Sequence, residues 1–242
     1  IISLCLSNGA LAMSKKGVIV KRLTSIENFG SMDVLCTDKT GTLTENKITL
    51  VLHVDMEGKD DEKVLVYSFV NSYYETGLRS PLDDAVLRFK NIGVKGYQKV
   101  DEVPFDFTRR RVSIAVDDEK QHTRLLLCKG ATEEIIKVCQ YYELENKTFN
   151  LTSEALRKIE DNYYKLSSQG FRVLGVSYKN VKEMKQQYSV IDENDMVLLG
   201  FVAFIDPPKE TAKESLQFLN KSGIQLKMLT GDNEIVTRKT CE

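Results

Sequence analysis

The chain has 242 residues, enough for one large domain or two modest ones, and its 42% hydrophobic and 29% charged residues are the balance of a globular protein. Lys and Arg number 34 against 35 Asp and Glu, so no net basic field exists to draw a nucleic acid. Five scattered cysteines without a C-x-x-C pair argue against a disulfide framework or structural zinc and fit a reducing cytosol.

In chain order, the opening IISLCLSNGALAM is apolar but short, and Ser7, Asn8 and Gly9 break it. A membrane span needs about 20 apolar residues, and the basic start of a signal peptide is missing. The abrupt beginning and the ending at Arg238–Glu242 read as cuts in a longer protein. Asp33–Cys36 has the pattern of a short buried strand, with Cys36 expected in the core, and runs into Thr37-Asp38-Lys39-Thr40-Gly41-Thr42. Ser80–Lys90 predicts a helix, with Ser80 as N-cap, Pro81 at its first position and Asp83 completing a capping box. Val112–Val116 and Thr123–Cys128 predict a hairpin across the polar Asp117–Gln121. A helix is predicted from about Thr132 to Gln140, and another carries Leu156, Ile159, Tyr163 and Leu166 and closes at Gly170 before the strand-like Phe171–Val176.

The apolar run Val197–Ile205 ends at Asp206-Pro207-Pro208. A helix with Ala212, Ser215, Leu216 and Leu219 on one face follows, capped near Gly223, and Ile224–Leu229 then leads into Thr230-Gly231-Asp232. Strand, helix and strand here predict a right-handed βαβ unit. The expected fold is therefore α/β and α+β. A parallel-sheet, Rossmann-type domain (1–49 and 198–242) is interrupted by an antiparallel α+β domain (50–197), joined by two chain crossings that suit a hinge.

Ligands of open parallel sheets bind beyond the carboxyl ends of the strands. There the predicted strands place Asp38, Asp206, and Thr230 with Asp232. Such carboxylates repel one another unless a cation joins them, and Mg²⁺ with a phosphate is a usual resident. Asp38 could attack phosphorus as a nucleophile while Lys39 and the amides around Gly41 receive the transferred oxygens. The ordinary alternative is a polar turn between a strand and a helix.

The run DKTGTLT (38–44) resembles the phosphorylation motif of P-type ATPases. PFDFTRRRVSIAV resembles the adenine-stacking segment of that family's nucleotide-binding domain, and Lys129-Gly130-Ala131 its KGA motif. Arg172 falls in a later arginine block, while DPPKE and TGD match the phosphorylation domain. The resemblance covers the whole chain and is closest to the bacterial magnesium-importing branch, on IVKRLTSIENFG, MDVLCTDKTGTLT, NSYYETGL and FVAFIDPPKE.

That resemblance implies a haloacid-dehalogenase-like phosphorylation domain at the cytoplasmic face of a cell membrane, with ATP as substrate, Mg²⁺ as cofactor and a transported cation. It implies Asp38 as the phosphorylated nucleophile, with the Thr40 carbonyl as a Mg²⁺ ligand beside it and Lys39 in the same motif. Thr230, Gly231 and Asp232 would surround the phosphate, and Asp206 would order that region or touch nucleotide. Phe107 would stack on adenine, Lys129 and Gly130 would line the pocket, and Asp83, Arg109 and Arg172 would contact base, ribose or phosphates. The family's later GDGxND segment is missing from this sequence, which implies nucleotide binding with little turnover.

Several of these residues also have an ordinary explanation. Asp83 is accounted for by its capping box, Phe107 by a core position, Lys129 by a solvated strand end, Arg172 by an ion pair, and the three arginines 109–111 by a solvated face. His53 and His122 read as surface residues. Two other functions remain open: a soluble haloacid-dehalogenase-type phosphatase, and a non-catalytic nucleotide sensor. The phosphatase places a second aspartate two residues after the nucleophile, where this chain has Thr40. The sensor leaves DKTGTLT unexplained.

Overall fold

The computed structural model describes residues 2–45, 47–77, 79–182 and 184–229. In chain order the helices are α1 (Ile2–Ser14), α2 (Ser25–Gly30), α3 (Glu62–Tyr74), α4 (Pro81–Phe89), α5 (Thr132–Val138), α6 (Ser153–Ser168) and α7 (Glu210–Lys221). The strands are β1 (Val34–Asp38), β2 (Thr49–Val54), β3 (Tyr97–Val103), β4 (Arg111–Asp118), β5 (Thr123–Ala131), β6 (Cys139–Leu144), β7 (Lys147–Asn150), β8 (Arg172–Val181), β9 (Met196–Ile205) and β10 (Gln225–Leu229). The chain divides into two compact units, one within Ile1–Glu45 and Pro208–Thr230, the other within Asn46–Pro207.

The larger unit is built on an eight-stranded sheet in the order β3-β4-β5-β8-β9-β6-β7, with β2 also paired to β9. Neighbours are antiparallel except β6 and β9, which run parallel. Both faces of the sheet are covered, so its central strands read as continuous apolar runs rather than alternating ones. On one face Val64, Leu65, Val70, Val86, Leu125 and Leu127 share a core from α3, α4 and β5. On the other, Leu126 and Cys128 pack with Ile135 of α5 and Ile159 of α6. Gly200 permits a close crossing in β9, since a Cβ there would stand 2.1 Å from the Val54 carbonyl oxygen.

Local signals place several elements where the sequence puts them. Ser80 accepts from the Asp83 amide, Asp83 answers the Ser80 amide, and Pro81 opens α4. β4 and β5 form the expected hairpin, and α6 gives way to Gly170 in the left-handed region, at φ 88°.

One strand belongs elsewhere. Val197–Ile205, read as a strand of the parallel sheet, is β9 and lies inside the eight-stranded sheet, antiparallel to β8 and β2. An apolar run specifies burial on both faces but not which strands it pairs with, and here its partners are β2, β6 and β8. The smaller unit's sheet joins β1 in parallel to β10, with Asp38 opposite Leu229. Helix α7 begins at Glu210, two residues after Pro208. Cys36 is exposed rather than core, because β1 has one strand neighbour among the described residues. His53 departs the other way. It is 8% exposed, with Nδ1 3.1 Å from the Asp61 carbonyl oxygen and its ring edge-on to Phe89.

Candidate functional site

In the smaller unit, Asp38 ends β1 with an exposed side chain. The chain then turns through Thr40 (φ −76°, ψ 124°) and Gly41 (φ 76°, ψ −13°). These angles are those of a type II turn, whose third position takes glycine because φ is positive there. The turn is held from within. Buried Thr44 receives the Gly41 amide on its hydroxyl at 3.1 Å and donates to the Lys39 carbonyl at 3.3 Å. Lys209 secures it from the start of α7, donating its ammonium to the Gly41 carbonyl at 2.8 Å and its amide to the Leu43 carbonyl at 2.9 Å. Lys39 is buried while Asp38 and Thr40 face solvent. The Asp38 carboxylate thus stands exposed on a fixed loop. Sequence reasoning passed over Thr44 and Lys209 as residues that hold it. Thr230, Gly231 and Asp232 lie outside the described residues.

The larger unit gathers the other candidates at one end of its sheet. Antiparallel pairing brings the start of β4, the end of β5, the start of β8 and the end of β9 to the same edge. Arg111 there opposes Gly130, Ala131 opposes Leu174, and Arg172 opposes Phe204, two residues before Asp206. Arg172 is exposed and Asp206 half-buried. Phe107 stands in the turn that enters β4 and is 85% exposed, beside Phe105 in an edge-to-face pair with centroids 5.5 Å apart. Leaving a phenylalanine in water forgoes about 1.5–3 kcal/mol of burial.

That turn is anchored. Asp106 accepts the Thr108 and Arg109 amides at 2.8 Å each and pairs with the Arg109 guanidinium. Arg109 also reaches Glu193 at 2.7 Å, and Glu193, its side chain wholly buried, takes Arg111 at 2.8 Å and the Ser113 hydroxyl at 2.7 Å. Arg109, expected to contact nucleotide, therefore spends its guanidinium on the turn that presents Phe107. Arg110 points to Glu133 and Glu134 at 3.1 Å. Glu193 sits in a polar stretch with no motif of its own, and no sequence signal marked it.

Lys129 is not the solvated lysine its place at the end of an apolar strand suggests. It is 3% exposed and forms an ion pair with Asp83, 4% exposed, while also donating to Ser72. Asp83 further accepts from the Ser72 hydroxyl at 2.9 Å and the Ser80 hydroxyl at 2.6 Å. Burial on its own raises the pKa of a carboxyl, but the Lys129 charge and these hydrogen bonds outweigh it and hold Asp83 at about 2. Asp83 is thus both the capping acid of α4 and the counter-ion of Lys129. Gly130 has a packing reason of its own: a Cβ would meet the Arg110 carbonyl oxygen at 2.4 Å and Arg111 Cβ at 2.5 Å.

Glu75, at the end of α3, completes the cluster and was not singled out by the sequence. It is 6% exposed, and one carboxylate oxygen is shut from solvent with no hydrogen-bond partner. Burial, then the neighbouring Asp83 charge, push its carboxyl up to about 7.

A cleft of about 580 Å³ opens toward the other end of these strands, lined among others by Tyr178, Lys179, Lys182, Lys185 and Tyr188. None of the candidate site residues borders it. For Mg²⁺ the donors present are the Asp38 carboxylate and the Thr40 carbonyl, both hard oxygens; no group of three His, Cys, Asp or Glu side chains suited to a metal occurs among the described residues. Two such oxygens fit an ion that keeps several waters and takes others from phosphate. No helix among the described residues is long and apolar enough to cross a membrane.

Comparison with known proteins bears on the whole chain. The family described as P-type ATPase, cytoplasmic domain N, matches residues 44–211. The chain is 45% identical over 247 residues to the "Magnesium-transporting ATPase, P-type 1" of Escherichia coli (strain K12), covering 100% of this chain and 27% of that protein. It is 44% identical to the protein of the same name in Salmonella typhimurium (strain LT2), again with 100% of this chain and 27% of that one covered. A "Calcium-transporting ATPase 1" of Lactococcus lactis is 32% identical over 256 residues, covering 97% of this chain and 29% of that protein. The chain therefore spans about a quarter of the length of the relatives it matches. A family pattern matched over most of the chain settles its membership: this chain belongs to the P-type ATPases and contains their cytoplasmic domain N.

Proposed function

We propose that this chain binds ATP at the edge of the eight-stranded sheet and accepts its terminal phosphate on Asp38, as part of a pump that moves a cation, Mg²⁺, across a membrane. The observation that carries the nucleotide reading is Phe107, 85% exposed on a turn that two ion pairs hold in place. An aromatic ring held rigidly in water is a platform for a base. Lys129 and Gly130 end the strand beside that turn, and Arg172 and Asp206 lie along the same edge. These are where phosphate and ribose would be met, with Asp83 setting the position of Lys129.

For transfer, a carboxylate oxygen of Asp38 attacks the terminal phosphorus of ATP. The bond from that phosphorus to the bridging oxygen breaks, ADP leaves with the electron pair, and an aspartyl phosphate remains. Water later cleaves it, returning the carboxylate and releasing phosphate. Asp38 and the Thr40 carbonyl would hold Mg²⁺, which when bound supplies neutralisation of phosphate charge. The amides of the 39–43 turn would face the transferred oxygens, with Thr230, Gly231 and Asp232 surrounding the phosphate. Thr40 stands where a haloacid-dehalogenase-type phosphatase places its acid/base aspartate, which favours a long-lived phosphoenzyme. Magnesium as cargo rests on the higher identity to magnesium transporters, 45% against 32% for a calcium transporter.

A nitrogen-15 NMR titration with ATP tests the binding site. Amide shifts concentrated at 105–111, 129–131 and 172–174 support the reading. Shifts confined to the cleft around Tyr178–Tyr188 would place the nucleotide elsewhere and overturn it.

A further inference from the structure

The Asp83–Lys129 pair does not stand alone, and its neighbour on α3 has no part in the pocket as drawn so far. Glu75 closes α3 with its side chain turned into the same buried cluster, 6% exposed and with one carboxylate oxygen lacking any hydrogen-bond partner. The groups facing it come from three elements: Asp83 from α4, Lys129 from β5, and Glu102 from β3. Lys99 of β3 is also close, pairing with Glu102 at 2.6 Å and donating to the Tyr74 carbonyl at 2.7 Å. Lys99 and Glu102 neutralise one another, as do Lys129 and Asp83. Glu75 is the charge left over.

An ionised carboxylate with an unpartnered buried oxygen is costly, so the site favours the neutral acid. We propose that Glu75 is held as the carboxylic acid beside the Asp83–Lys129 pair, and that its ionisation weakens the pocket's grip on a nucleoside polyphosphate. The inference rests on the nucleotide reading above. With Glu75 neutral, Lys129 faces one carboxylate and its remaining field reaches an incoming phosphate. With Glu75 ionised, Lys129 is shared between two carboxylates, and the pocket gains a negative charge that repels the ligand. Glu75 acts through Lys129 and touches no ligand, so it is a positioning residue. The carboxyl's rise to about 7 from burial and Asp83 brings this change into the neutral range.

The test is calorimetric titration with ATP at pH 6 and pH 8, on the wild-type chain, Glu75→Gln and Glu75→Leu. Glutamine keeps the shape of the neutral acid, while leucine removes both charge and hydrogen bonding, and either reports if the other fails to fold. The titration of ATP itself is common to all three proteins and cancels in the ratio of wild type to variant. The wild type is expected to lose about tenfold more affinity than either variant between the two pH values, an added repulsion of about 1.4 kcal/mol. Equal pH dependence in wild type and variants overturns this inference and leaves the nucleotide reading standing. No saturable binding by any of the folded proteins at either pH sinks the nucleotide reading and this inference with it.

Discussion

The Lys129 ammonium and the Asp83 carboxylate, 46 residues apart in the chain, form an ion pair whose side chains are 4% and 5% exposed. Breaking such a pair from one side strands a charge in the interior. Asp83→Ala is expected to cost about 3–5 kcal/mol of stability, read as a lower urea midpoint. Asp83→Leu combined with Lys129→Met should recover much of that loss while removing the buried cation. A Leu–Met protein as unstable as Asp83→Ala would show that the stranded charge is not the cause.

The same pair sets an acid limit. Asp83 is depressed from 3.8 to about 2 in the fold, so its contribution is present above pH 4 and is lost as pH falls from about 4 toward 2. Glu75 has the opposite sign. Raised from 4.5 to about 7, it contributes stability below pH 4.5 that is lost as pH rises through 7. Glu75→Gln should therefore flatten the decline in melting temperature between pH 5 and pH 8 in the absence of nucleotide. An unchanged decline would mean that the carboxyl titrates in its ordinary range.

Glu193 holds the turn that presents Phe107 through Arg109 at 2.7 Å, Arg111 at 2.8 Å and Ser113 at 2.7 Å. Glu193→Ala leaves the buried Arg111 guanidinium without its carboxylate, takes from Arg109 one of its two, and is expected to cost about 3–5 kcal/mol. At a temperature where the variant remains folded, amides 106–110 should exchange faster with deuterium than in the wild type. Unchanged exchange there would free the turn from any dependence on Glu193.

In the smaller unit, Thr44→Val removes the hydroxyl that joins the Gly41 amide to the Lys39 carbonyl. The loss is expected to be about 0.5–1.5 kcal/mol of local stability, the net worth of an ordinary hydrogen bond, since the Lys39 carbonyl keeps the Thr44 amide at 3.2 Å. Faster hydrogen exchange at Gly41 than in the wild type would report it, and equal protection would contradict the assigned role.

What the sequence made legible was local. The capping box of Ser80 and Asp83, the hairpin of β4 and β5 and the glycine stop after α6 each depend on residues within a few positions, and each is in place. What it concealed was partnership at long range. The apolar run of β9 announces burial without naming β2, β6 and β8 as neighbours, so its sheet was misread. Lys129 looked solvated because its counter-ion lies 46 residues earlier. Glu75 and Glu193 carry no motif, and their burial arises only when α3 meets β5 and when the stretch before β9 meets β4. Motif resemblance singled out Phe107, Arg109, Asp83 and Lys129, but not Glu193 or Ser72, which join Arg109 and Lys129.

The most direct test is calorimetric titration of the chain with ATP beside the Phe107→Ala variant. The ring is 85% exposed, so its loss costs the fold little and isolates the contact with a base. Saturable binding by the wild type, weakened about fivefold to a hundredfold in the variant, is the predicted result, matching about 1–3 kcal/mol for one stacked base. Equal affinity in the two proteins, or no binding by the folded wild type, would contradict it.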